Sequence, residues 1–160
     1  MGTTENYLLV LSESLDKKIV ILKELDRLTA EQKEIVDAAD FDEEAFNTNV
    51  QKKGALIEEL EKLDNGFQIL YNNVKAQIEG NKEQFKPQIA DLQSKIKTII
   101  DYTSSLQVAE KRNSTLIRNR FNELRKEVHQ VRKSRDAATN YYRNMNNIDS
   151  ATSVFMDQKK

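Results

Sequence analysis

The sequence has no cysteine and no tryptophan, a single proline, a single histidine and four glycines in 160 residues. Without cysteine there is neither a disulfide framework nor a thiolate zinc site. So little glycine and proline leaves too little turn chemistry for a β-sandwich or barrel. Long apolar runs are missing too. The longest, Tyr7 to Leu11, cannot span a bilayer and lacks the flanks of a signal peptide. Charge of one sign is not in excess either, with 25 Lys and Arg against 26 Asp and Glu. What the chain has in quantity is charge, at 32% of residues beside an apolar fraction of 38%. That balance is too polar for a thick globular core and suits long helices that bury one narrow stripe. The length fits one helical domain over residues 1–160. These features predict a soluble, intracellular, all-helical protein.

Two short motifs carry nothing. Asn6 stands where the myristoylation pattern needs Ser or Thr. Asn113-Ser114-Thr115 matches a glycosylation sequon, but a chain without a signal peptide does not meet the enzyme that uses it.

Apolar spacing predicts three long helices, over residues 4–38, 42–79 and 87–145, with a tail over 146–160. In the first, Leu8, Leu11, Leu15, Leu22, Leu25, Gln32 and Val36 keep steps of three and four or their sums. Thr4 is the expected N-cap, with Glu5 near the positive end of the helix dipole. Asp42, followed by Glu43 and Glu44, reads as the N-cap of the second helix. Its stripe runs from Phe46, Val50 and Lys53 through Ile57, Leu60, Phe67, Tyr71, Val74 and Ile78. Gly80 is the expected left-handed residue closing that helix. A short link between the first two helices makes them an antiparallel hairpin.

The third stripe begins at Ile89 and runs through Ile96, Leu106, Glu110, Asn113 and Ile117, with Pro87 in its first turn. A four-residue step to Phe121, where three was due, is a stutter that relaxes supercoiling without ending the helix. The stripe then continues through Leu124, Val128, Val131, Arg135, Ala138, Tyr142 and Met145. No Gly or Pro lies between Gln88 and Lys160, so the spacing favours one unbroken helix. At roughly 58 residues it would be about 85 Å long, against about 50 Å for each of the others. Its last half would then have no internal partner, which implies an external one or another copy. The competing reading breaks the chain at Asn113-Ser114-Thr115 and closes a four-helix bundle. The fold class is all-α, three long helices in a coiled-coil-like bundle, with an antiparallel hairpin and a longer third helix.

Charge divides along the chain. Residues 1–80 hold 17 acids and 9 bases, and residues 81–160 hold 9 acids and 16 bases. The basic excess between Lys111 and Arg135 suits attraction between the two halves or a solvated face. Nucleic acid is the sharper reading of such a cluster, but Glu110, Glu123 and Glu127 interrupt it, and no nucleic-acid partner is expected.

Catalysis needs shifted pKa values in a pocket, which long narrow bundles seldom offer. His129 has no second histidine to share a metal and is preceded three residues earlier by Lys126, so the Glu-x-x-His di-iron pattern is absent. No phosphate loop, dinucleotide loop or nucleophile elbow occurs. The chain is expected to be no enzyme and to need no cofactor or metal. Glu110 and Asn113 in an apolar seam instead suit a polar pair that fixes register or partner choice. Two binding classes stay open. One is a chaperone or adaptor that captures an amphipathic helix along its free seam. The other is a coiled-coil scaffold that forms a homodimer through the same seam. The seam's interruptions, and the Phe, Tyr and Met near its end, suit exchange of partners.

The layout resembles the FlgN family of flagellar type III export chaperones, with the related FliT chaperones the nearest alternative. The resemblance rests on Tyr7-Leu8-Leu9-Val10-Leu11, the block from Lys52-Lys53-Gly54-Ala55-Leu56-Ile57 to Asp64, Leu92-Gln93-Ser94-Lys95-Ile96, Glu110-Lys111-Arg112-Asn113 and Tyr141-Tyr142. It implies a cytoplasmic, non-enzymatic protein that covers the amphipathic C-terminal helix of a hook–filament junction protein. Such a protein prevents premature assembly and delivers its cargo to the export gate. The positions implied to take cargo are Ile117, Phe121, Leu124, Val128 and Val131, with Met145 and Phe155 further on. Tyr142 is the implied docking residue for the export-gate protein, with Tyr141 beside it. The ending from Val154 to Lys160 departs from the family's shorter endings.

Overall fold

In the computed structural model, the described residues form four successive helices: α1 (Thr3–Asp37), α2 (Glu43–Gly80), α3 (Lys86–Leu124) and α4 (His129–Asn146). The structure describes residues 2–124 and 129–146, without the side chains of residues 129–132, 134 and 146. Asp42 caps α2 as its sequence position requires, its Oδ1 accepting from the Ala45 N–H at 3.0 Å. Pro87 falls in the first turn of α3, where its missing N–H leaves no helical bond unmade.

Two terminal expectations need correction. Gly2, not Thr4, is the N-cap residue of α1, and no side chain caps it. Gly80 ends α2 without a left-handed backbone. Asn81 closes that helix instead, donating from its backbone N–H to the Ile78 carbonyl at 3.2 Å and from Nδ2 to the Gln77 carbonyl at 2.9 Å. An amide side chain satisfies a terminal carbonyl that a glycine turn would otherwise have served.

The larger correction concerns the third stretch, which is two helices and not one. α3 passes unbroken through Asn113-Ser114-Thr115 and ends at Leu124. α4 then packs on both α2 and α3, so the described residues form four helices, three of them long. Its direction follows from its partners: Arg135 donates to Ser114 Oγ at 3.2 Å, and Met145 Sδ lies 3.0 Å from Lys18 Nζ. α4 therefore runs antiparallel to α3. The physical reason lies in the stripe itself. Folded back, Ala138, Tyr141 and Tyr142 are 3%, 4% and 1% exposed. Burying a large side chain contributes about 1.5–3 kcal/mol, so packing α4 back on the bundle gains the burial of two tyrosine rings. Tertiary burial has overridden the absence of a breaker residue. The partner that the last part of the stripe lacked is supplied from within the chain.

The helices form a ring in which α1 touches α2 and α3, and α4 touches the same two from the other side. α1 and α3 run parallel: Ser12 donates to Asp91 at 2.6 Å, and Asn113 donates to the Thr29 carbonyl at 2.8 Å. α2 opposes them, its Asn49 donating to the Leu28 carbonyl at 2.8 Å and its Asp64 accepting from Lys18 at 2.5 Å. At 18 residues, α4 spans half the length of its 35- to 39-residue neighbours.

Two apolar clusters fill the interior. The larger includes Leu8, Leu22, Leu60, Tyr71, Leu92 and Tyr142. The smaller gathers Val36, Phe46, Val50, Ile117 and Phe121. A buried polar layer brings together residues of α1, α2 and α3. Glu110 pairs there with Lys53, and its Oε1 lies 3.1 Å from Thr29 Oγ1. Gln32 Oε1 accepts from Asn113 at 3.0 Å and from Lys53 at 3.3 Å. Such a layer fits only one helix register, because a slide of one turn would bury the charges without partners.

Candidate protein-binding interface

The residues implied to take cargo do not form one surface here. Ile117 and Phe121 are each 7% exposed and belong to the smaller cluster. Phe121 meets Phe41 and Phe46 edge-on, with ring centroids 5.4 and 5.3 Å apart, the geometry that favourable ring quadrupoles select. The seam step to Phe121 thus keeps that side chain in the core. Leu124, at the end of α3, is 37% exposed. Val128 and Phe155 lie outside the described residues, and Val131 has its backbone in α4 with its side chain not described.

Met145 and Tyr142 belong with the larger cluster. Met145 is half-buried and sits against Lys18, whose ammonium also lies 5.5 Å from the centroid of the Tyr141 ring. Lys18 is itself buried and bonded to Asp64. The end of α4 is therefore fixed to α1 and α2 by one cation, one carboxylate and one aromatic face. Tyr142 is almost fully buried, and its hydroxyl finds no hydrogen-bond partner among the described residues. Burial holds its phenol far above the usual tyrosine range, and the Glu110 and Asp26 carboxylates add to that. Tyr141 is raised in the same way, by burial first and then by Asp64.

The structure also places apolar surface away from the buried stripes. A groove of about 520 Å³ on the outer face of α1 and α2 is lined by Val20, Ile21 and Leu63, with Lys17, Lys62 and Glu59 around them. Val20 is 65% exposed. The signal was present in the sequence as an apolar residue on the side of α1 opposite its stripe. A second groove of about 310 Å³ lies between α3 and α4, with Lys111, Ser114, Arg135 and Thr139 on its walls and Glu110 and Tyr142 lining it too. Among the described residues, no helix is long and apolar enough to cross a membrane and no acid or histidine cluster could hold a metal ion.

The sequence model of one family, described as FlgN protein, matches residues 8–147. No curated protein and no solved structure matches the chain.

Proposed function

The chain belongs to the FlgN family of flagellar export chaperones, and we propose that it binds the amphipathic C-terminal helix of a hook–filament junction protein in the cytoplasm, keeps it from assembling and delivers it to the export gate. The observation that carries this reading is the family match over residues 8–147. The helical ring with its one short member supports it. An amphipathic helix needs an apolar trough between two helices, and α4 occupies such a place between α2 and α3. On this reading a cargo helix meets Leu124, Val128 and Val131 once α4 has lifted, with Met145 and Phe155 as further contacts, and reaches Ile117 and Phe121 by opening the smaller cluster, which residues of α1 and α2 cover. Tyr142 docks to the export-gate protein once α4 has lifted, because in the closed ring it is 1% exposed. The activity is binding, with no reaction catalysed and no cofactor used.

The chemistry of capture is modest in scale. A few Leu-sized anchors, each contributing about 1.5–3 kcal/mol before ordering costs, suffice for micromolar affinity with reversible release. The test is calorimetric titration of the full chain with synthetic C-terminal helices of the hook–filament junction proteins of its source organism. Saturable one-to-one binding, weakened by Leu124→Asp at unchanged helicity, is the expected result. No binding to any junction helix would overturn the cargo assignment. A stable dimer at low micromolar concentration without cargo would favour the scaffold.

A further inference from the structure

Part of the basic excess of the second half of the chain lies where α3 and α4 run side by side. Residues 107–124 and 133–146 hold seven bases and three acids, and one of those acids, Glu110, is already taken by Lys53. In the groove between α3 and α4, Lys111 stands on one wall and Arg135 on the other. Helical spacing extends the same walls: Arg118 lies one turn beyond Ser114, and Arg143 one turn beyond Thr139. Lys111, Arg118 and Arg143 make no ion pair among the described residues, while Arg135 reaches Ser114 Oγ at 3.2 Å and Asp136 at 3.6 Å. The expected attraction between the two halves of the chain therefore does not consume these charges.

We propose that the α3–α4 groove is a docking site for an acidic segment of a partner protein, with a carboxylate seated between Lys111 and Arg135. The groove supplies two cationic groups and the hydroxyls of Ser114 and Thr139 around a space of about 310 Å³, roomy enough to admit an acidic side chain. Charge-assisted bonds from Lys and Arg are the strong ones for such a ligand. A polynucleotide fits less well. Its bases want exposed aromatic faces, and Tyr142, the aromatic residue of this groove, is buried. The first 80 residues, at a net charge of −8, would repel a long polyphosphate. This inference does not depend on the cargo reading, since it uses the groove that exists while α4 is in place.

The experiment is fluorescence anisotropy of labelled poly-L-glutamate with the full chain at low ionic strength, with oligodeoxythymidylate of equal charge as competitor. Poly-glutamate should bind saturably and weaken as salt rises. Lys111→Glu should weaken it about tenfold or more, as loss of one charge-assisted contact requires. Lys111 is exposed, so that variant keeps the fold, which circular dichroism checks. Arg135→Gln should act in the same direction, and Lys82→Glu, in the turn at the far end of the bundle, should change binding little. Absence of binding, equal losses from Lys82→Glu and Lys111→Glu, or tighter binding of the oligonucleotide would each overturn the proposal.

Discussion

Lys53 on α2 and Glu110 on α3 meet as an ion pair inside the bundle, their side chains 4% and 8% exposed. Breaking such a pair by removing one partner leaves a buried charge, at a cost of about 3–5 kcal/mol. Glu110→Ala should therefore lower the urea midpoint strongly. The double variant Lys53→Met with Glu110→Leu should recover most of that loss, because a well-packed apolar pair replaces a buried ionic one at little net cost. Urea unfolding followed by circular dichroism decides it. A double variant as unstable as the single one would mean that Thr29, Gln32 and Asn113 need the charges as much as the charges need each other.

Phe121 and Leu124 separate stability from capture. Phe121 is buried against Phe41 and Phe46, and Phe121→Ala should cost about 3–5 kcal/mol. Leu124, three residues on and partly exposed, should accept Asp with a change in melting temperature of a few degrees at most. Thermal melts of both variants test this, and equal melting temperatures would show that the ring cluster contributes nothing.

Much of the interior was legible in the sequence. Every stripe residue from Leu8 to Val36, from Phe46 to Ile78 and from Ile89 to Phe121 singled out by spacing is buried, because a helix in a bundle hides one face whatever its neighbours are. Even Gln32, Lys53, Glu110 and Asn113 could be placed in the seam by position alone. The end of α3 at Leu124 was not legible. No glycine or proline marks it, and what favours it is Tyr141 and Tyr142 packing on elements far away in the chain. Spacing reports which residues share a face, and it says nothing about whether that face continues straight or folds back. The candidate site suffered most from this, since Tyr142 is surface on a straight helix and core on a folded one.

Gly54 and Gly66 lie inside α2 with ordinary backbone angles, and an added Cβ at either would meet nothing within 4 Å. Alanine in a helix interior is favoured over glycine by about 1 kcal/mol. Gly54→Ala and Gly66→Ala should each raise stability by about that amount, and the two should add, since they lie more than three turns apart. Melting temperatures that fall instead would mean that α2 must bend or be approached closely at these points.

Tyr141 and Tyr142 give the ring an alkaline limit. Their phenols titrate above the ordinary value of 10.0 because burial resists the charged form, with Asp64 and Glu110 acting in the same direction. The folded chain therefore holds these protons more tightly than the unfolded chain does. That preference is fully present below pH 10 and is lost as pH rises through the unfolded value toward the folded ones. α4 should open first, since it holds the two rings and is the shortest helix. Ultraviolet titration of wild type should show a delayed class of tyrosines whose ionisation coincides with loss of α4 protection in hydrogen exchange. In the Tyr141→Phe, Tyr142→Phe double variant the delayed class should shrink to Tyr71, whose phenol burial also raises, and α4 should stay closed to higher pH. If α4 in that variant opens at the same pH as in wild type, the alkaline limit belongs to other groups, and the two tyrosines hold α4 by packing alone.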